Sequence, residues 1–164
     1  MSVFVFDSDG LIKLQKAGVL GILAESHECL VPRKVYGESV EGGKTELYED
    51  AFELEETIKE DMRVVEVEDP KSEKTPVREN LGSGELSAYG IHLQEDSDAV
   101  ISDDRAFLKY LESREMPFIT PANVIVEMKN QEQISREKAI EALDRIKKFI
   151  RDDVYEKSIE GVKK

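Results

Sequence analysis

Short runs of β-branched and aromatic residues alternate along this chain with stretches whose apolar positions recur at helical spacing. Val3 to Phe6 is the first such run. It stops at Asp7-Ser8-Asp9-Gly10, after which Leu11, Ile12 and Leu14, then Val19, Leu20, Ile22 and Leu23, fit helical turns. Leu30-Val31 ends in Pro32, a residue suited to opening a helix, so the segment Lys34 to Ser39 is expected to be helical, with Glu38 inside it. Thr45 to Lys59 carries Leu47, Ala51, Leu54 and Ile58 three and four residues apart, with Asp and Glu on the remaining face, the pattern of an amphipathic helix.

The second half repeats the alternation. Arg63 to Val67 reads as a short strand, and Asp69 to Asn80, with two prolines and mixed charges, as a loop. Gly82-Ser83-Gly84-Glu85 opens a helix bearing Leu86, Ala88, Tyr89, Ile91 and Leu93, the glycines permitting a tight turn in front of it. Ala99 to Ile101 is a strand that runs through Ser102 into Asp103-Asp104 and a helix with Phe107, Leu108 and Leu111. Pro117 to Ile119 is a last strand, Thr120 and Pro121 an N-cap and first turn for Ala122 to Met128, and Ile140, Leu143, Ile146 and Ile150 a stripe along Ser135 to Ile150. Strands and helices in this alternation predict a three-layer α/β/α fold with a central parallel sheet of four or five strands. One domain is expected over residues 1–150, with 151–164 as a loose tail. The apolar stripes of the Thr45 and Ser135 helices are either core or dimer surfaces.

Composition narrows the class without naming it. With 164 residues, 40% hydrophobic and 36% charged, the chain suits one globular domain with a strongly charged surface. No apolar run approaches the length of a membrane span and no basic-then-apolar leader precedes Val3, so a cytoplasmic protein is expected. The single cysteine, Cys29, has no disulfide partner, and with His27 and His92 it makes no zinc spacing; Cys29 and His92 read as structural and His27 as a loop residue. The net charge of −13 opposes phosphate binding, but it is unevenly spread. Residues 1–128 hold 13 basic and 28 acidic side chains, whereas residues 129–164 hold 10 basic and 8 acidic, which makes the C-terminal helix the flank least repulsive to RNA.

The chemistry is expected where strands end. In a parallel sheet the functional crevice lies beyond the carboxyl ends of the strands. Phe6 runs into Asp7 there, and Ile101 into Asp103-Asp104, while Glu38 and Glu85 sit on helices that can point a carboxylate back toward the same end. Ser8, Asp9 and Ser102 are secondary candidates in the same stretches. Each acid also has an ordinary reading, since strand-end Asp residues cap helices and first-turn Glu residues complement the helix dipole. As a group they are different. Carboxylates a few ångströms apart raise one another's pKa unless a cation compensates, and an all-oxygen set suits Mg²⁺ or Mn²⁺.

Four stretches carry a resemblance to the PIN-domain family, which includes VapC-type toxins and RNA-processing endonucleases. They are Val3-Phe-Val-Phe-Asp-Ser-Asp-Gly-Leu-Ile-Lys-Leu14, Val31-Pro-Arg-Lys-Val-Tyr-Gly-Glu38, Gly82-Ser-Gly-Glu-Leu-Ser-Ala88 and Ala99-Val-Ile-Ser-Asp-Asp-Arg-Ala-Phe107, in the family's order. The resemblance implies a parallel sheet flanked by helices, divalent-metal dependence and cleavage of single-stranded RNA. It places the family's acids on Asp7, Glu38, Glu85 and Asp104, with Asp103 an alternative ligand. Glu85 departs from the family's frequent Asp, and Asp9 adds a charge where Ser or Asn is common. In a toxin, a small antitoxin protein would occupy the groove; a housekeeping enzyme needs none. Two other readings stand beside this one. Phe6-Asp-Ser-Asp-Gly10 resembles the first motif of haloacid-dehalogenase-type phosphatases, though Leu11 stands where that family wants Thr and no Lys is placed to meet a phosphate. A PIN fold that binds nucleic acid without cutting it is the other.

Overall fold

The computed structural model describes residues 1–45, 49–68 and 82–164. Five strands, β1 (Val3–Phe6), β2 (Glu28–Pro32), β3 (Arg63–Val65), β4 (Ala99–Ile101) and β5 (Phe118–Ile119), form one sheet in the order β3-β2-β1-β4-β5. Every pairing is parallel. Such pairing needs a crossover between strands, which the helices supply: α1 (Ser8–Ala17) and α2 (Leu20–Ser26) after β1, α3 (Arg33–Tyr36), α4 (Gly42–Thr45) and α5 (Glu49–Asp61) after β2, α6 (Ser83–Glu95) before β4, and α7 (Arg105–Ser113) after it. Three more helices follow β5: α8 (Pro121–Asn130), α9 (Arg136–Ile146) and α10 (Asp152–Lys163).

The two-residue period of the strands divides the core. Phe4, Phe6, Cys29, Val31, Ala99 and Ile101 point to one face, beneath α1, α2, α5, α8 and α9. Val5, Leu30 and Val100 point to the other, beneath Ala88, Tyr89 and Ile91 of α6 and Phe107, Tyr110 and Leu111 of α7. Phe6 and Phe107 are wholly buried, one on each side, and truncating either to Ala costs about 3–5 kcal/mol in a core of this kind. At the sheet's β3 edge, Arg63 pairs with Glu28 at 2.8 Å and Glu95 at 3.1 Å, charges that discourage further strand pairing.

Several expectations change. The boundary at Leu30-Val31-Pro32 belongs to a full strand beginning at Glu28, whose polar first residue hides the pattern; Pro32 is tolerated because it is the last residue. The strand expected to run to Val67 ends at Val65. The helix expected from Lys34 to Ser39 is α3 followed by a π-helical stretch, Gly37–Glu41, which leaves Glu38 outside and turns Ser39 and Val40 inward. One left-handed residue, Gly18 at φ 80°, separates α1 from α2. Of the amphipathic helix expected from Thr45, the part described as α5 buries Ala51, Leu54 and Ile58, and residues 46–48 lie outside the described residues. The Ser135 helix ends at Ile146, followed by a 3₁₀ turn (Lys147–Phe149), and buries Ala139, Ala142, Leu143 and Ile146. Ile140 and Ile150 of that stripe are partly buried against the same core, and Leu47 of the other stripe lies outside the described residues. The last residues, expected as a loose tail, form α10 against α8 and α9, with Val162 fully buried. The loop expected over 69–80 lies outside the described residues.

Candidate active site

Asp7 is the first residue past β1, and it caps the helix that follows. Its Oδ1 accepts from the Gly10 amide at 2.8 Å, and its Oδ2 accepts from the Ser102 hydroxyl. The backbone makes this possible because β1 and β4 are neighbours: Phe6 pairs with Ile101, and the Asp7 amide donates to the Ile101 carbonyl at 3.2 Å. Here the sheet reverses its order, with β1 leading outward to β2 and β3 and the chain returning to β4 and β5 on the other side. A crevice opens at such a point. Gly10 lets α1 sit this close to β4, since a Cβ there would lie 2.4 Å from the Ile101 carbonyl oxygen.

Beyond those strand ends is a cleft of about 200 Å³ lined by Asp7, Ser8, Asp9, Glu38, Gly82, Gly84 and Glu85. Glu38 is held from two sides: Ser8 donates to Oε2 at 3.0 Å and Ser83 donates to Oε1 at 3.4 Å. It also faces the N-terminus of α6, whose dipole favours an anion. A Cβ on Gly84 would stand 2.9 Å from Glu38 Oε2. The glycines before α6 are therefore explained by close approach, because Gly82 is extended at φ −77° and needs no turn conformation. Glu85 folds back to accept the Gly82 amide.

The electrostatics are those of anions short of a counter-charge. Burial pushes the Asp7 carboxyl up to about 7, against the two hydrogen bonds that lower it, and the charges of Asp9 and Glu85 raise it further. Partial burial also raises Glu85, opposed by its bond to the Gly82 amide and helped by Asp104, Glu38 and Asp9. Asp9 is raised by loss of solvent, with Lys13 opposing and Asp104 and Asp103 adding to the rise. Asp7 is thus only half ionised near neutrality unless a cation arrives.

Of the acids expected from sequence, Asp7, Glu38 and Glu85 line one cleft, together with Ser8 and Asp9. Ser102 lies beneath it, fully buried, donating to Asp7 and accepting from the Asp104 amide at 3.1 Å. Asp103 and Asp104 stand behind the lining. Asp104 caps α7 through the Phe107 amide at 3.0 Å, and its charge reaches Asp9 and Glu85. Asp103 is paired with Lys13 at 2.5 Å. Sequence reading passed over Lys13 and Ser83. Lys13 was within reach of it, four residues after Asp9 and hence on the same face of α1; Ser83 gave no local signal, because its partner Glu38 lies 45 residues away. Cys29 and His92 are structural: burial pushes the thiol up to about 12, and His92 Nδ1 meets the Ser97 hydroxyl.

A family model described as PIN domain matches residues 3–164. The chain belongs to the PIN-domain family. No curated protein matches it. PIN domains are generally nucleases, hydrolases that act on nucleic acid with the help of divalent metals. The five-stranded parallel sheet flanked by helices is the fold of this PIN domain, and no helix among the described residues is long and apolar enough to cross a membrane. The phosphatase alternative loses its basis. The family model that spans residues 3–164 is that of a PIN domain.

Among the described residues, no three carboxylate, imidazole or thiol groups enclose a ready-made metal cage. The donor set nevertheless fits a hard divalent cation. Mg²⁺ commonly takes one or two carboxylates and completes its shell with water and substrate phosphate, and this cleft offers carboxylate and hydroxyl oxygens around a carboxyl that burial has left half protonated.

Proposed function

We propose that this PIN domain is a divalent-metal-dependent endoribonuclease that hydrolyses phosphodiester bonds of single-stranded RNA. The observation that carries the reading is Asp7, a buried carboxyl anchored at the β1–β4 switch point, with Glu38 and Glu85 across the same cleft. Asp7, Glu38 and Glu85 would hold Mg²⁺ or Mn²⁺, with Asp104 contributing its charge and Asp103, paired with Lys13, the alternative ligand. When bound, the metal supplies charge compensation, an activated water and an in-line orientation for the phosphate.

The chain's own groups do the rest. Ser102 and the Gly10 amide fix Asp7 in one rotamer, so its carboxylate is presented without further ordering. Ser8 and Ser83 hold Glu38 in the same manner. Glu85, raised by partial burial, is a lining group suited to proton exchange with a bound water or leaving oxygen. A small antitoxin encoded directly upstream would make the protein the toxin of a pair; the site works the same way in a processing enzyme.

The deciding assay uses a mixed-sequence single-stranded RNA with Mn²⁺ or Mg²⁺. Cleavage by wild type, abolished by EDTA and by Asp7→Asn, is the expected result. Intact RNA under every metal condition, with turnover of p-nitrophenyl phosphate, would sink it.

A further inference from the structure

In a chain of net charge −13, cations that gather around an exposed aromatic ring are informative. Among the described residues, the exposed ring of Phe149 has the Lys16 ammonium over it. The 3₁₀ turn after α9 presents Lys147, Lys148 and Phe149, followed by Arg151, and Phe149 keeps 48% of its surface in solvent. The Lys16 ammonium lies 5.2 Å from the centre of the Phe149 ring, which places the turn against α1, the helix that starts in the cleft. Asp9, in the cleft lining, and Lys16 are seven residues apart on α1, about 10 Å along its axis. Arg151 lies within electrostatic reach of Asp103, at the carboxyl end of β4. The turn therefore packs on α1, with Arg151 on the side of Asp103.

The charges are partly spoken for. Asp50 pairs with Lys16 at 2.7 Å, Asp153 with Arg151 at 3.0 Å, and Lys147 sits over the Tyr155 ring at 4.8 Å. Among the described residues, however, neither Lys147 nor Lys148, the two residues that precede Phe149 in the turn, forms an ion pair. A solvent-facing aromatic side chain with a cation over it and lysines next to it in the chain matches the way single strands are held, with bases stacked on rings and phosphates on ammonium groups. It does not suit a duplex, whose bases are already stacked.

We infer that Phe149, in the turn that carries Lys147 and Lys148 and with Lys16 over its ring, is the stacking platform for a base of the single-stranded RNA entering the cleft. The inference takes the identity of the strand from the nuclease reading and adds the surface that receives it. Electrostatically, this turn offsets the repulsion between the acidic cleft and the RNA backbone. Phe149 is a binding residue and takes no part in bond breaking.

The test is fluorescence anisotropy of a labelled mixed-sequence RNA single strand with the full chain in EDTA, where cleavage is absent, next to a duplex of the same length. Phe149→Ala is expected to weaken single-strand binding roughly tenfold, with Phe149→Tyr restoring it. Lys147→Ser with Lys148→Ser should flatten the salt dependence by about one unit of log–log slope. Equal binding by wild type and Phe149→Ala, or preference for the duplex, overturns the inference. The two proposals fail separately: metal-dependent cleavage with unaltered Phe149→Ala binding leaves the nuclease and removes the platform, whereas Phe149-dependent binding without cleavage does the reverse.

Discussion

Ser102, fully buried at the end of β4, donates its hydroxyl proton to Asp7 at the end of β1 and accepts from the Asp104 amide. One hydroxyl thus ties together two strands and two acids that are 97 residues apart in sequence. Because a bond to the charged form favours ionisation, Ser102 works against the burial that pushes Asp7 upward.

Ser102→Ala should therefore drive the Asp7 carboxyl above its value of about 7. Carbon-13 NMR titration of the Asp7 carboxyl reads this directly. A midpoint unchanged or lower in the variant would remove Ser102 as the group that holds Asp7 ionised.

The metal-free protein should lose stability as pH rises through 7. Asp7 titrates at about 7 when folded, against 3.8 for a solvated aspartate, so the folded chain binds the extra proton between those values. Its contribution is complete below pH 3.8 and is lost as pH climbs through about 7, a difference on the order of 4 kcal/mol at most. Urea denaturation of wild type and Asp7→Asn in EDTA at pH 6 and pH 8.5 checks the sign: wild type should fall more steeply than the variant.

Added Mg²⁺ or Mn²⁺ should reverse that loss. A ligand that binds only the folded state raises the melting temperature by mass action. The rise is expected in wild type at pH 8 and should be absent in Asp7→Asn and reduced in Glu38→Gln. Equal rises in all three would place the ion elsewhere.

Gly10→Ala should destabilise the fold by about 1–3 kcal/mol, since the new Cβ would lie 2.4 Å from a backbone oxygen that cannot swing aside. Gly21→Ala, inside α2 with nothing within 4 Å of its Cβ, is the control and should leave the denaturation midpoint unmoved or raise it, by up to about 1 kcal/mol.

Cys29 should resist alkylation at pH 8 in the native protein. Its thiol is buried and pushed up to about 12, so almost no thiolate is present, and modification should keep pace with unfolding. Rapid labelling without urea would contradict the packing of β2 against α2.

Local pattern was enough to reveal the alternation of strands and helices and the acids that end them. Val3 to Phe6 and Ala99 to Ile101 are too short and too apolar to be anything but buried strands, and Thr120-Pro121 and Ser135 carry their caps within three residues. Those signals act over one or two turns, where a one-dimensional reading has force. Glu28 to Pro32 was harder, because its polar start and terminal proline blur the period that a strand needs.

What sequence determined by itself was therefore a parallel α/β chain, with Asp7, Glu38, Glu85 and Asp103-Asp104 as candidate acids near strand ends and helix starts. Tertiary structure alone decided how they meet. Strand order sets β1 beside β4, so that Ser102 reaches Asp7 and Lys13 reaches Asp103, which left Asp104 as the acid whose charge bears on Glu85. Burial of Asp7, the bracketing of Glu38 by Ser8 and Ser83, and the docking of α10 all depend on what other segments cover. Desolvation and long-range pairing belong to the packed chain, and no window along the sequence contains both partners.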